Sequence, residues 1–366
     1  GERRKHRVDA LSTPKKNGRR NYMDAGKALA ILLVIYGHTF RESMRAEFRW
    51  CDLSYVFVYR VHVSLLFILS GMAYALTKEK NKKLTSAQYL KKKAGSLLVP
   101  WISYSIFVYL VFAFAQLIPA SRQILESSAY HFLTPIDYVI ALLRNENPYS
   151  FHIWYLQTLF LFISLTFLFD RQVEDEHKQR LVKIILILLL PAFYEWFCAK
   201  WIWTFKGFFQ KYQFFLLGTI LPEMFLEKKK NLLMGTGLAS GAYLFFLLFH
   251  PLKEWYAMPY PGLLLCYVEN VAIAGFGLGI LAVCLKMEKY LGYLAEFGRH
   301  TLTYYLYHQP FCCALLGLLL YNKLHLSVWL TVVMCMMASL VIPTLILKIF
   351  GRGKLGIVLR RIGLLA

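Results

Sequence analysis

The chain has 366 residues, of which 58% are hydrophobic and only 17% are charged. Together with a mean hydropathy of +0.46, this composition excludes an ordinary soluble domain and predicts an integral membrane protein. The formal net charge is +21, but the basic residues gather in short connections such as "KEKNKKLTSAQYLKKK", where anionic headgroups attract them. We therefore expect membrane lipids, and not nucleic acid, as partners.

Apolar runs of spanning length follow one another along the whole chain. A spanning helix needs about 20 mainly apolar residues. Counting Lys and Arg with the N-terminus inside gives the inner connections roughly three times as many as the outer ones, which places both termini in the cytoplasm. The sequence thus predicts an all-α fold with ten spans, near residues 24–40, 55–76, 96–118, 152–169, 182–198, 205–225, 232–250, 261–285, 300–320 and 327–350.

The two ends of the chain are basic and polar. Residues 1–23 contain no apolar core, so they are not a secretory signal and are predicted to form a disordered cytoplasmic arm. Residues 24–350 are the predicted membrane domain, and residues 351–366 form a basic cytoplasmic tail. The chain begins without Met, so the alternative that it is the membrane module of a longer protein stays open.

The first predicted span, in "KALAILLVIYGHTF", carries two ionisable groups. Lys27 and His38 are eleven residues apart, which is about three helical turns and about 16 Å, so they share one face of the helix. Ionisable groups inside a membrane usually face the bundle interior or water, and the pair therefore predicts a site that crosses the membrane. The structural alternative is that Lys27 pairs with Asp24 and that His38 is an interfacial histidine.

Further polar side chains occur in later spans. Arg60 and His62 lie in the outer part of the second span, His152 opens the fourth, and His308 follows Tyr305 in the ninth. Histidine titrates near neutrality and can take a proton from a hydroxyl and pass it on. Each of these residues is a secondary candidate for binding an acceptor or for assisting proton transfer, with helix capping as the structural alternative.

Other patterns in the chain bear on metals and on acidic partners for the histidines. The sequence has no HExxH motif, no histidine pair at i,i+4 and no CxxC pair, so no metal site and no disulfide framework are predicted. Glu269 lies in the outer third of the eighth span, followed by Asn270. A carboxylate at that depth is predicted to orient a histidine or to stabilise its charged form.

Five segments carry a resemblance to a known family. "KALAILLVIYGH" resembles the first-helix signature of the acyltransferase family 3 membrane proteins, a basic residue followed by ten residues and His. "HVSLLFILSGMAY", "YLKKKAGSLLVPW", "IWYLQTLF" and "HTLTYYLYHQP" are similar to its segments in spans two, three, four and nine. The resemblance covers about residues 22 to 350 and is strongest for the fucose O-acetylase-like branch, in which Lys often replaces Arg.

The resemblance implies acyl transfer from cytoplasmic acetyl-CoA to a hydroxyl of a glycan or lipid-linked sugar on the outer face, in the bacterial inner (cytoplasmic) membrane. His38 would act as general base or as a transient nucleophile. Lys27 would serve the donor together with Lys91, Lys92 and Lys93, whose charges attract the phosphates of CoA. No metal is implied, and the sequence indicates no oligomeric state.

A second class of function stays open, because some glycan-export proteins resemble this family. A transporter or flippase that moves a glycan or a polyprenol-linked sugar would also need polar groups inside a ten-span bundle. Turnover of CoA separates the two classes.

Overall fold

The computed structural model describes residues 20–126, 130, 132–144, 146–195, 203–249 and 252–365. It is 88% helical, and the described residues contain no strand. The α-helices are α1 (Asn21–Thr39), α2 (Glu42–Glu47), α3 (Arg49–Asn81), α4 (Ser86–Gln116), α5 (Pro119–Glu126), α6 (Pro135–Leu143), α7 (Trp154–Gln172), α8 (Glu176–Phe193), α9 (Trp203–Ile220), α10 (Glu223–Phe246), α11 (Lys253–Tyr256), α12 (Pro259–Lys286), α13 (Gly292–Arg299), α14 (Thr301–Tyr307), α15 (Val328–Phe350) and α16 (Gly353–Arg361).

The all-helical membrane class is confirmed. Within the described residues, six helices are long and apolar enough to cross a bilayer, namely α3, α4, α7 with its preceding turn, α10 with its following turn, α12 and α15. The other four predicted spans correspond to α1, α8, α9 and the broken helix that continues α14. The number of ten spans and the cytoplasmic location of both termini stay predictions.

The described parts of the two predicted terminal segments contact the helical bundle. Residues 1–19 lie outside the described residues, but α1 begins at Asn21, three residues before the predicted boundary, and Tyr22 is buried. At the other end, α16 is followed by a segment that packs on the bundle, where Leu365 is buried and the Tyr307 hydroxyl donates to the Leu364 carbonyl at 3.2 Å. These contacts tie the end of the predicted tail to the bundle, and the division of the chain into arm, membrane domain and tail stays a prediction.

Several helices begin at the residue types that satisfy free backbone N–H groups. Thr85 and Gln88 form a reciprocal capping box at the start of α4. Asp175 accepts from the backbone N–H groups of His177 and Lys178 at the start of α8, and these hydrogen bonds hold the pKa of its carboxyl below the usual value. The connections between the long helices are thus fixed by local sequence.

The bundle is built around α1 and α3, which carry the largest share of buried residues. Helix α3 packs along α9 with no side chain between the two backbones at Gly71 and Gly218. A Cβ atom on Gly71 would lie 2.1 Å from the Phe215 carbonyl oxygen, and one on Gly218 would lie 2.1 Å from that of Ile68. Glycine at this crossing therefore allows the close approach that small residues give to membrane helices.

The outer faces of the bundle are apolar although they are exposed. Leu110 on α4 is 60% exposed, Leu238 on α10 is 79% exposed and Trp329 on α15 is 65% exposed. Water would not tolerate such faces over whole helices, whereas lipid chains match them. The lipid-facing sides of α4, α10 and α15 are therefore assigned by exposure.

Candidate active site

A cavity of about 470 Å³ lies among α1, α3, α9, the segment before α7 and the end of α14. We refer to it as the main cavity. Its walls combine aromatic rings with imidazole, amide and ammonium groups, including His38, Tyr59, His62, Tyr130, Ser150, His152, Trp154, Tyr155, Gln210, Lys211, Tyr305 and Gln309. Such a mixture of apolar surface and a few polar groups is typical of a small-molecule site between helices.

The structure brings the four predicted histidines together at this cavity. The ring centroids of His38 and His62 are 6.3 Å apart, those of His38 and His308 are 5.0 Å apart, and those of His308 and His152 are 5.0 Å apart. The four rings therefore form a continuous series from α3 through α1 to the segment before α7. Three of them line the main cavity, and His308 lies fully buried behind His38 and His152.

Three of these rings are fixed by carbonyl groups of their own helices. His38 Nδ1 is 2.7 Å from the Val34 carbonyl oxygen, His62 Nδ1 is 2.6 Å from that of Val58, and His308 Nδ1 is 2.7 Å from that of Tyr305. A carbonyl oxygen only accepts, so Nδ1 carries the hydrogen in each ring. The Nε2 atom of each neutral imidazole then keeps its lone pair and is free to accept a proton.

His152 has the opposite arrangement. Its Nε2 donates to the Leu306 carbonyl oxygen at 3.2 Å, so its lone pair lies on Nδ1. That Nδ1 atom, like Nε2 of His308, is buried and has no hydrogen-bond partner among the described residues. The Tyr305 hydroxyl donates to the backbone carbonyl of His152, which ties the two segments together. Two buried basic nitrogens without a partner among the described residues therefore belong to neighbouring rings, whose centroids are 5.0 Å apart.

The position of His308 depends on an interruption in its helix. The chain after Tyr307 continues as a π-helix over His308–Leu315, and Gln309 departs from helical dihedral angles with φ −123° and ψ 143°. The following Pro310 disfavours the helical conformation at Gln309 and offers no N–H. The Tyr104 hydroxyl of α4 donates to the Gln309 carbonyl oxygen, which the broken ladder leaves free. The proline thus positions both His308 and a polar wall of the cavity.

Lys27 and His38 lie on the same helix, α1, as predicted. The Lys27 Nζ atom is 3.3 Å from Asp24 Oδ1, and the Arg299 Nε atom is 3.7 Å from Asp24 Oδ2. The pairing with Asp24 that was the structural alternative for Lys27 is therefore present. Lys27 does not line the main cavity, and its contact with a donor stays a prediction.

Glu269 has different neighbours from the predicted histidine. Its Oε1 atom is 3.1 Å from Arg60 Nε, and its Oε2 atom accepts from the Tyr256 hydroxyl at 3.0 Å. Arg60 lies two residues before His62 on α3, and its permanently charged guanidinium binds the Glu269 carboxylate in place of the histidine. Arg60 and Glu269 line a second cavity of about 240 Å³, which shares Tyr59, Gln210 and Lys211 with the main cavity.

The three lysines predicted to attract CoA lie in the first two turns of α4. Lys91 and Lys92 are exposed, and the Lys93 ammonium is 5.6 Å from the centre of the Tyr89 ring. Lys91 and Lys92 are available to solvent, Lys93 is half-buried, and none of the three lines either cavity. Their contact with CoA phosphates stays a prediction.

Lys211 is a site residue that the sequence reasoning missed. It belongs to α9, lines both cavities, and its Nζ atom donates to the Ser64 hydroxyl oxygen at 3.3 Å. A usable signal was present, because a lysine within the predicted span 205–225 is as unusual in a membrane as the pair on α1. Tyr59 and Tyr155 were also missed, and no sequence signal distinguishes them from the other aromatic residues.

No group of three or more His, Cys, Asp and Glu side chains in the described part of the chain is arranged to hold a metal ion. The four imidazoles instead form a series of hydrogen-bonded neutral rings beside an open cavity. What this arrangement can do chemically is accept a proton from a bound hydroxyl.

Comparison with known proteins gives one match. The family model described as an acyltransferase domain matches residues 20–348. No curated protein and no solved structure matches the chain.

Proposed function

The chain belongs to acyltransferase family 3, and on that premise we propose that it moves an acetyl group from cytoplasmic acetyl-CoA to a hydroxyl of a glycan or lipid-linked sugar on the outer face of the bacterial inner (cytoplasmic) membrane. The observation that carries this proposal is the free Nε2 atom of His38 beside the main cavity, with its Nδ1 held by the Val34 carbonyl. Lys27 in place of arginine supports the fucose O-acetylase-like branch.

In the direct route, His38 acts as general base. Its Nε2 atom takes the proton of the acceptor hydroxyl while the hydroxyl oxygen attacks the thioester carbonyl carbon. When the carbon–sulfur bond breaks, the thiolate takes that proton from Nε2, so the products are the acetyl ester and CoA. In the covalent route, Nε2 attacks the thioester carbonyl carbon, the carbon–sulfur bond breaks and CoA leaves as a thiolate. The acceptor hydroxyl then displaces the imidazole from the acetyl carbon and gives its proton to the thiolate, so the products are again the acetyl ester and CoA.

The donor would approach from the end of α1 that carries Lys27. The helix separates Lys27 from His38 by about 16 Å, a distance that the extended arm of CoA can bridge. The Lys27 ammonium donates one hydrogen bond to Asp24, and its other N–H groups would donate to phosphate oxygens. Lys91, Lys92 and Lys93 add positive charge at the start of α4 and would raise the local concentration of the anionic donor.

The acceptor would occupy the main cavity. Tyr59, Trp154 and Tyr155 line it and present aromatic surfaces suited to the apolar faces of a sugar ring. His62, His152 and His308 continue the series of imidazoles on both sides of His38 and would bind or relay the protons of neighbouring hydroxyls. Arg60 forms an ion pair with Glu269, and the Tyr305 hydroxyl donates to the His152 backbone carbonyl. Both residues would act by positioning these groups.

The test is the O-acetyl content of surface glycan, measured by proton NMR, from cells that carry the wild-type gene, no gene, His38→Ala or His177→Ala at matched membrane abundance. His177 is exposed on α8 and serves as the matched histidine control. An acetyl signal with wild type and His177→Ala, but not with His38→Ala, would support the proposal. An equal signal with His38→Ala would overturn the role of His38, and less surface glycan without any change in acetylation would indicate the transporter.

The two routes can be separated with purified protein and radiolabelled acetyl-CoA in the absence of acceptor. Covalent labelling that is lost in His38→Ala would establish the acetyl-imidazole. Release of labelled ester only when acceptor is added, with no labelled protein at any time, would establish the direct route.

A further inference from the structure

Lys211 is a cationic side chain inside the bundle that the proposed reaction does not use. Its ammonium lies at the wall shared by the main and second cavities, together with Tyr59 and Gln210. Its hydrogen-bond partner is the neutral Ser64 hydroxyl at 3.3 Å, and the Phe214 ring centre lies 5.6 Å away. A neutral hydroxyl at that distance compensates little of the cost of holding a charge away from bulk water.

No carboxylate of the described residues forms an ion pair with Lys211. Glu269 lines the second cavity, and Arg60 and Tyr256 hold its two oxygens. Glu195 also lines the second cavity. With Arg60 and Lys211 opposite Glu195 and Glu269, the charges of the second cavity balance, so it offers no net attraction to an anion.

The main cavity is different, because none of its described lining residues is Asp or Glu. Its polar groups are hydroxyls, amides, imidazoles that donate to carbonyls, and the Lys211 ammonium. Among the described residues that line this cavity, Lys211 therefore carries the one ammonium group, and no carboxylate lies beside it on this side. Charged residues at this depth in a membrane protein mark substrate sites and usually pair with an opposite charge.

We propose that Lys211 binds an anionic group of the acceptor, a carboxylate or a phosphate, in the main cavity. This inference rests on the proposed function, because it names the class of acceptor for the same site: an acidic or phosphorylated sugar. It adds a specificity-determining residue on α9 to the histidines of α1 and α3.

The geometry places this anion close to the reacting hydroxyl. Lys211, His62 and His38 line the same cavity, and the His62 ring centre is 6.3 Å from that of His38. A sugar unit bound in this cavity of about 470 Å³ would meet His38 through a hydroxyl and Lys211 through a carboxylate or phosphate. The ammonium would thus fix the orientation of the sugar and select which hydroxyl meets Nε2 of His38.

The experiment measures binding of three probes to the purified full chain in lipid nanodiscs, by saturation-transfer NMR titration without acetyl-CoA. The probes are glucose, glucuronate and glucose 1-phosphate, which share a sugar ring and differ in charge. Wild type is compared with Lys211→Met, Lys211→Gln and Lys211→Arg, and with Lys253→Met as a matched control. Lys253 is exposed on α11 and lines neither cavity.

We expect one or both anionic probes to bind wild type roughly tenfold or more tightly than glucose, as a charge-assisted contact predicts. The preference should vanish in Lys211→Met and Lys211→Gln and persist in Lys211→Arg and Lys253→Met. A preference for glucuronate alone assigns a carboxylate, and one for glucose 1-phosphate alone assigns a phosphate. Equal binding of all three probes to wild type, or a preference that survives Lys211→Met, would overturn the inference.

Measuring acetyl transfer on the same samples separates this inference from the proposed function. Active protein that binds neutral and anionic sugars equally would overturn the role of Lys211 and leave the acyltransferase reaction standing. Wild-type protein that transfers no acetyl group, but binds anionic sugars more tightly through Lys211, would overturn the acyltransferase reaction and leave the anion-binding role of Lys211 standing. Elution of each variant at the wild-type volume in size-exclusion chromatography shows that the bundle is folded.

Discussion

Replacing Gly71 by alanine is expected to push α3 away from α9 and to disturb the candidate active site from two helical turns away. The new Cβ atom would lie 2.1 Å from the Phe215 carbonyl oxygen, whereas real Cβ contacts essentially never fall under 3.0 Å. Because the obstacle is backbone, no side-chain rotation relieves it. The two helices must therefore separate by about 0.9 Å at this crossing before the contact becomes tolerable.

The separation of the two helices lowers both the stability of the protein and its activity. Overpacking of this kind costs about 1–3 kcal/mol of stability. The same displacement carried to Lys211 and Ser64, each seven residues before its glycine, would break their 3.3 Å hydrogen bond. A misplacement of about 1 Å in a residue that positions the acceptor, as we propose for Lys211, costs roughly 100-fold in rate, so we expect a larger loss of activity than of stability.

The assay compares thermal unfolding in detergent, followed by tryptophan fluorescence, with the rate of acetyl transfer. Gly235→Ala is the matched control, because it adds the same atom on α10 where nothing lies within 4 Å. That variant should unfold at or slightly above the wild-type temperature, since alanine favours the helix by about 1 kcal/mol. A Gly71→Ala protein that is as stable and as active as Gly235→Ala would refute the reasoning.

Three further substitutions test the ion pairs around the bundle. Lys27→Ala should raise the apparent KM for acetyl-CoA roughly threefold to tenfold, and an unchanged KM at lower protein abundance would assign Lys27 a structural role. Lys183→Met removes the ammonium 2.7 Å from buried Asp170 and should cost about 3 kcal/mol in chemical denaturation, with recovery when Asp170→Asn is added; no recovery would contradict the pairing. Arg60→Gln should destabilise by about 1–3 kcal/mol, more than the double variant with Glu269→Gln, and a double loss equal to the sum of the two single losses would show that the pair is not coupled.

The sequence predicts the all-helical class, which the structure confirms, whereas the roles of the site residues that it selects stay predictions. Hydropathy identifies apolar runs because lipid requires them, and His38, His62, His152 and His308 were singled out because ionisable groups in such runs are costly. The structure places the four rings in one series. Their mutual positions follow from helix packing, which the sequence of one span does not contain.

The errors have physical causes of the same kind. Glu269 was assigned to a histidine, but the crossing of α12 with α3 brings it to Arg60. Hydropathy does not distinguish a helix face that contacts lipid from one that contacts another helix. Lys211 was therefore overlooked, because only the packing of α9 shows that the face carrying Lys211 lines a cavity. Pro310 in the ninth span is a sequence signal for the interruption of the helix at Gln309, but no sequence signal predicts the π-helix.

The order of the four histidines along the chain has a consequence for biosynthesis. Because one ring comes from near the beginning of the membrane domain and another from His308, near its end, no chain that stops before residue 308 contains the full set. The site is completed only when the late helices have entered the bilayer and packed against the first. The series of four rings is therefore a property of the packed bundle and not of any one of its helices.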